Sequence, residues 1–154
     1  MSSGIVYEVV KMINAPLSFV YDWCTDFRED DPKLTAAVWA RLTGSTNKMK
    51  IIEKTDKRVI SFKEELKEGK KNIMKNVVTL FPPDRWHLDS KGDLLDATGD
   101  YHLFSDGDGT RLEMAFKRNY KISKVPTSED LVRINNAVWD KLISTLENEH
   151  RAQK

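Results

Sequence analysis

The chain has 154 residues, of which 40% are hydrophobic and 32% charged, a composition that folds rather than one that stays disordered. Lys and Arg number 25 against 24 Asp and Glu, a formal charge of +1, so the clustered positive surplus of a nucleic-acid binder is missing. No run approaches the ~20 apolar residues of a transmembrane helix, and the length suits one domain over 1–154.

The N-terminus lacks the basic start and apolar stretch of a signal peptide. Cys24 is the single cysteine, which rules out an intrachain disulfide and points to a reducing, cytoplasmic setting. It falls on the apolar face of the first helix, where a buried thiol is expected rather than a nucleophile.

Ile5 to Ile13 is a β-rich run with apolar residues on both faces, as in a strand well inside a sheet. Asn14-Ala15-Pro16 breaks it, and Pro16 suits a first helical turn. Leu17, Val20, Tyr21 and Cys24 then form one apolar face, with Asp22 pointing away and Phe19 and Trp23 on a second face. Asp30-Asp31-Pro32 marks a second short helix, and Val38 to Thr43 fits either its tail or a strand.

From Lys48 onward, strands alternate with turn signals: Met49–Thr55, Val59–Leu66, Asn72–Phe81, Arg85–Ser90, Thr98–Ser105 and Thr110–Ile122. Lys67, Lys70 and Lys71 interleave with Glu65 and Glu68 around Gly69 and predict a solvated hairpin turn. Pro82-Pro83-Asp84 ends a strand, because proline cannot donate to the ladder. Asp106-Gly107-Asp108-Gly109 resembles a calcium loop but lacks its distal carboxylates; a hairpin turn with φ > 0 at glycine accounts for it.

In the last strand Leu112, Met114, Phe116, Tyr120 and Ile122 share a face. Thr127 and Asp130 make a capping box for a final helix whose stripe is Leu131, Ile134, Val138, Leu142 and Leu146, widened by Trp139 and Ile143. Strands joined by short turns pair antiparallel. The expected class is α+β: a curved sheet of six to seven strands around a long C-terminal helix, with two short helices after the first strand.

The opening Asn14-Ala15-Pro16, three residues and Val20-Tyr21, followed by Asp26, resembles that of the START/SRPBCC superfamily. Phe81-Pro82-Pro83-Asp84-Arg85-Trp86 and Gly109-Thr110-Arg111-Leu112 are similar to its polyketide cyclase/dehydratase-like branch. The resemblance covers nearly the whole element order. It implies a helix-grip fold with a hydrophobic cavity between sheet and C-terminal helix that takes lipids, polyketides, quinones or similar compounds. It implies no shared catalytic residue; no cofactor is expected, and three histidines scattered over strands and tail, with no acid cluster at ligand spacing, argue against a metal site.

Polar residues on inward faces are the candidates for contact with a ligand. Asn135 lies within the apolar arc, where its amide bonds to a neighbouring strand, to buried water or to a ligand. Arg118 sits in register between Phe116 and Tyr120. It pairs there with a ligand carboxylate or with Glu64, which shares a face with Ile60, Phe62 and Leu66, or else it snorkels to the rim. Glu64, Arg118, Tyr120 and Asn135 are thus expected to orient a ligand's polar end, with Phe116, Trp139 and Tyr101 against its apolar body. His102 faces outward if Tyr101 and Leu103 face in, unless Gly99 marks a bulge. The remaining tryptophans, Trp23, Trp39 and Trp86, are placed to line a cavity mouth.

Three functions are compatible with this pattern. The first is a non-catalytic module holding a small hydrophobic ligand. The second is a cyclase, aromatase or dehydratase in which a tyrosine or His102 polarises a carbonyl. The third is a protein-interaction module whose interior is filled by Trp, Phe and Met, with an apolar patch outside.

Overall fold

The computed structural model describes residues 4–27, 45–67, 69–122 and 125–153. Its elements are β1 (Ile5–Ile13), α1 (Leu17–Thr25), β2 (Ser45–Lys54), β3 (Arg58–Lys67), β4 (Lys70–Phe81), β5 (Arg85–Gly92), β6 (Leu95–Asp106), β7 (Gly109–Tyr120) and α2 (Ser128–Ala152). The strands form one seven-stranded sheet in the order β1-β7-β6-β5-β4-β3-β2. Every neighbouring pair is antiparallel. The expected α+β architecture is therefore present. The second short helix and the Val38–Thr43 segment lie outside the described residues.

The turns follow their residues. Gly107, with φ +60°, makes the two-residue hairpin between Asp106 and Gly109. The Lys-rich turn closes a β3–β4 hairpin, and Lys71 reaches the Glu64 carboxylate at 3.4 Å. At α2, Thr127 Oγ1 accepts from the backbone N–H of Asp130 at 3.1 Å, which is the expected capping box.

One expectation needs correcting. The apolar residues on both faces of β1 suggested an interior strand, yet among the described residues β1 is an end strand that pairs only with β7. Its inner face (Tyr7, Val9, Ile13) is buried, while Val6, Val10 and Met12 on the outer face are exposed.

α2 lies over this end of the sheet. Lys11 of β1 bonds Asp140 at 2.6 Å, and the Asn14 amide donates to Glu147 at 2.7 Å. The Trp23 indole N–H donates to Glu149, and the Phe19 ring meets His150 edge-on. The helix buries Leu131, Asn135, Val138, Trp139, Leu142, Ile143 and Leu146. Six inter-strand spacings make the sheet about 29 Å across, whereas a helix with its side chains is ~10–12 Å wide. α2 alone therefore covers less than half of the inner face.

Candidate functional site in the sheet–helix interior

Strand register defines the inner face. On β7 it carries Thr110, Leu112, Met114, Phe116, Arg118 and Tyr120, the first four of them buried. Opposite them β6 presents Leu95, Ala97, Gly99, Tyr101 and Leu103, and β5 presents Trp86, Leu88 and Ser90. On β3 and β4 the inward positions are Val59, Ser61, Lys63, Asn72, Met74, Asn76, Val78 and Leu80. One half of the interior thus carries the aromatic rings, and the half toward β3 and β4 mixes four apolar with four polar residues.

The aromatic half is a connected row. Tyr21 of α1 meets Trp86 edge-on at 6.0 Å, and Trp86 stacks on Tyr101 at 4.9 Å. Tyr101 then meets Phe116 at 5.6 Å, and Phe116 stacks on Tyr7 at 5.0 Å. Trp139 of α2 closes over Tyr101 at 6.3 Å. Gly99 makes room for this packing: a Cβ there would stand 3.0 Å from the Tyr101 ring and 3.2 Å from that of Phe116. Leu88, Ala97, Tyr101, Arg118 and Tyr120 remain half-buried although they face inward.

At the end of the row a polar network joins helix to sheet. Asn135 Nδ2 donates to the Tyr7 phenol oxygen at 3.1 Å and to the Leu131 carbonyl at 2.9 Å. Arg118 Nη1 donates to the Tyr120 oxygen at 3.1 Å, and the guanidinium also bonds Tyr7. Burial on its own would weaken the hold of Arg118 on its proton. The Tyr7 and Tyr120 oxygens outweigh burial and move the balance upward, so the guanidinium stays charged. Burial raises the Tyr7, Tyr101 and Tyr21 phenols, which therefore stay protonated at neutral pH. The Tyr21 hydroxyl and the Asn72 amide nitrogen are buried with no hydrogen-bond partner among the described residues.

Six of the seven residues singled out from sequence fall here together: Phe116, Arg118, Tyr120, Tyr101, Asn135 and Trp139. Glu64 does not. Its register with Ile73 and Lys48 puts it on the outer face, with Phe62 and Leu66, which are 42% and 46% exposed. The expected Arg118–Glu64 pair is thus replaced by Glu64–Lys71, on the far side of the sheet. β3 misleads because its more apolar face, Ile60, Phe62 and Leu66, is the solvent face. Sequence reasoning also missed Tyr7 and left Trp86 open between ordinary packing and a cavity mouth; Trp86 is buried in the core. The alternation of Tyr7 with Ile5 and Val9 was the signal for the first.

His102 faces outward, with unbroken pairing on both sides of β6 and no bulge at Gly99. It adjoins an open depression of about 380 Å³ on the outer face, which Glu8, Arg85, His87, Asp100 and Glu113 also line. There His87 Nδ1 lies 2.6 Å from Asp100, the histidine half-buried and the carboxylate exposed. Among the described residues no three His, Cys, Asp or Glu side chains gather as metal ligands, and no helix is long and apolar enough to cross a membrane.

No protein-family model and no curated relative matches the chain. Solved structures do match it. A START superfamily protein from Mycobacterium smegmatis superposes with a TM-score of 0.64 at 14% identity, over 99% of this chain and 100% of that one. The Zhui aromatase/cyclase of a Streptomyces strain gives 0.62 at 14% identity, over 97% and 94%. A Thermus thermophilus protein gives 0.64 at 19% identity, over 97% and 99%. With the curved antiparallel sheet and its long terminal helix, these likenesses show that the chain has the helix-grip fold of START/SRPBCC proteins.

Proposed function

We propose that this chain binds a small, largely apolar molecule in the space between the inner sheet face and α2. The observation that carries this reading is the aromatic row from Tyr21 to Tyr7, bordered by inward residues that packing leaves half-buried. Burying apolar ligand surface contributes ~25 cal/mol per Å², and a few convergent polar groups then fix its orientation. The Tyr21 hydroxyl, buried and without a protein partner among the described residues, suits a ligand carbonyl or hydroxyl. The START and aromatase/cyclase neighbours give the same reading a precedent in shape.

Titration with the neutral dye phenylnaphthylamine tests the proposal. Binding should saturate at one site, and Ala97→Phe, which fills the half-buried inner position opposite Arg118, should reduce the affinity at least tenfold. Absence of saturable binding, or indifference to Ala97→Phe, refutes it.

A second reading, a protein-interaction module, is favoured by one observation: Phe62, Leu66 and Ile73 stand 42–46% exposed together on the outer face. The enzymatic alternative would use Tyr21 or Tyr101 as the hydrogen-bond donor to a carbonyl, since His102 lies across the sheet from the aromatic row.

A further inference from the structure

Two cations on the inner face, beside α2, are treated differently. Lys11 on β1 is matched by the Asp140 carboxylate of α2 at 2.6 Å. Arg118 on β7 has only phenol oxygens, those of Tyr7 and Tyr120, and no carboxylate among the described residues in ion-pair reach. The Tyr7 phenol does not neutralise it, because burial makes that oxygen hold its proton more tightly than usual. A guanidinium carries five donors in a planar fork that matches a carboxylate. The contacts described here leave part of that fork unused. Enclosing a charge with no counter-charge is costly, and removing one partner of a buried pair costs several kcal/mol for this reason.

Around the guanidinium the surroundings are amphipathic. Ile5 and Ala97 flank it in register on the neighbouring strands, and Phe116 precedes it on the same face. Asn135 fixes the Tyr7 oxygen from the helix side, so that phenol is held in place toward Arg118. The site therefore offers one fixed positive charge at the end of an aromatic wall.

We infer that the preferred ligand is an amphipathic monoanion, a carboxylic acid whose carboxylate pairs with Arg118 while its apolar body lies along Phe116 and Tyr101. This rests on the proposed interior binding and adds its charge selectivity.

The test compares octanoate with octan-ol, its uncharged analogue of equal chain length, by displacement of bound phenylnaphthylamine at neutral pH. A hydrogen bond to a charged group contributes ~1.5–3 kcal/mol, so the wild-type protein should prefer octanoate by roughly 10- to 150-fold. Arg118→Met should abolish that preference, so that the ratio of octanoate to octanol affinity falls to about one. In the wild-type protein, the Arg118 Nε–Hε resonance should shift on octanoate addition and not with octanol, a readout that does not depend on the variant folding. Equal affinity for the two ligands, an unmoved Arg118 resonance, or a preference that survives Arg118→Met overturns the inference. Failure of both ligands and of the dye refutes instead the interior binding on which it rests.

Discussion

The arrangement of the site depends on which face of β3 looks inward, and a pair of alanine substitutions on that strand tests it. Val59 is 3% exposed and faces the interior, whereas Phe62, of opposite parity, is 42% exposed. With ~200 Å² for a phenylalanine side chain, about 115 Å² of Phe62 is covered. Alanine retains roughly half of that cover, so at ~25 cal/mol per Å² Phe62→Ala should cost about 1.4 kcal/mol. Val59→Ala removes two methyl groups from a closed site. At ~0.8 kcal/mol each plus a cavity contribution, it should cost about 2.5 kcal/mol. Both lose a good strand former, so propensity cancels from the comparison. Urea denaturation with a common slope measures the two values. The smaller residue should cost more. A Phe62→Ala loss of ~3–5 kcal/mol with Val59→Ala below ~1 would mean that the register is slipped by one. Glu64 would then lie on the same inner face as Arg118, as a carboxylate available to the interior, and the inferred charge selectivity would lose its basis.

Three further outcomes follow from the packing. Leu146, fully buried on α2, should lose ~2–5 kcal/mol on truncation to alanine, seen as a lower Tm by calorimetry; a loss below ~1 would mean that the helix is not docked. Burial raises the Tyr101 phenol, so the folded state holds that proton more tightly than the unfolded chain. Its contribution is complete below the unfolded value near ~10 and is lost as pH rises through the folded value, so Tyr101→Phe should flatten the fall in stability above pH ~10, measured by denaturant titration. Gly109→Ala would place a Cβ 2.8 Å from the Ile13 carbonyl oxygen, where backbone cannot yield without parting β1 from β7, and should lower stability by ~1–3 kcal/mol in the same assay.

Much of the fold was legible because local chemistry and tertiary need agree. The proline break before Leu17, the Thr127–Asp130 cap and the Asp106–Gly109 turn each stand where their residues require. β1 ran over Ile5–Ile13 as expected, but its place at the edge was not legible, since alternation says nothing about neighbours across the sheet. β2 begins at Ser45 rather than Met49, because ladder pairing with Lys67 and Leu66 overrides the weak propensity of Ser-Thr-Asn. The site was legible where one strand alternates cleanly, as in Phe116, Arg118 and Tyr120. It failed at Glu64, because β3 carries its larger apolar residues, Ile60, Phe62 and Leu66, on the outer face, which inverts the usual rule that the apolar face is the inside.

That inversion bears on recognition against catalysis. Proton transfer at neutral pH is served best by a group that titrates near that pH. At the aromatic end of the interior, the perturbed groups move away from it: the Tyr7, Tyr21 and Tyr101 phenols are held protonated by burial, and Arg118 is held charged by the two phenol oxygens it meets. The imidazoles of His87, paired with Asp100, and His102, near Asp84, sit on the outer face, separated from the rings by the sheet itself. An interior whose donors and charge keep one state across the neutral range presents a constant pattern to whatever enters. Such a pattern discriminates ligands by complementarity and offers a carbonyl a fixed hydrogen bond, which is the physical basis of the proposed binding.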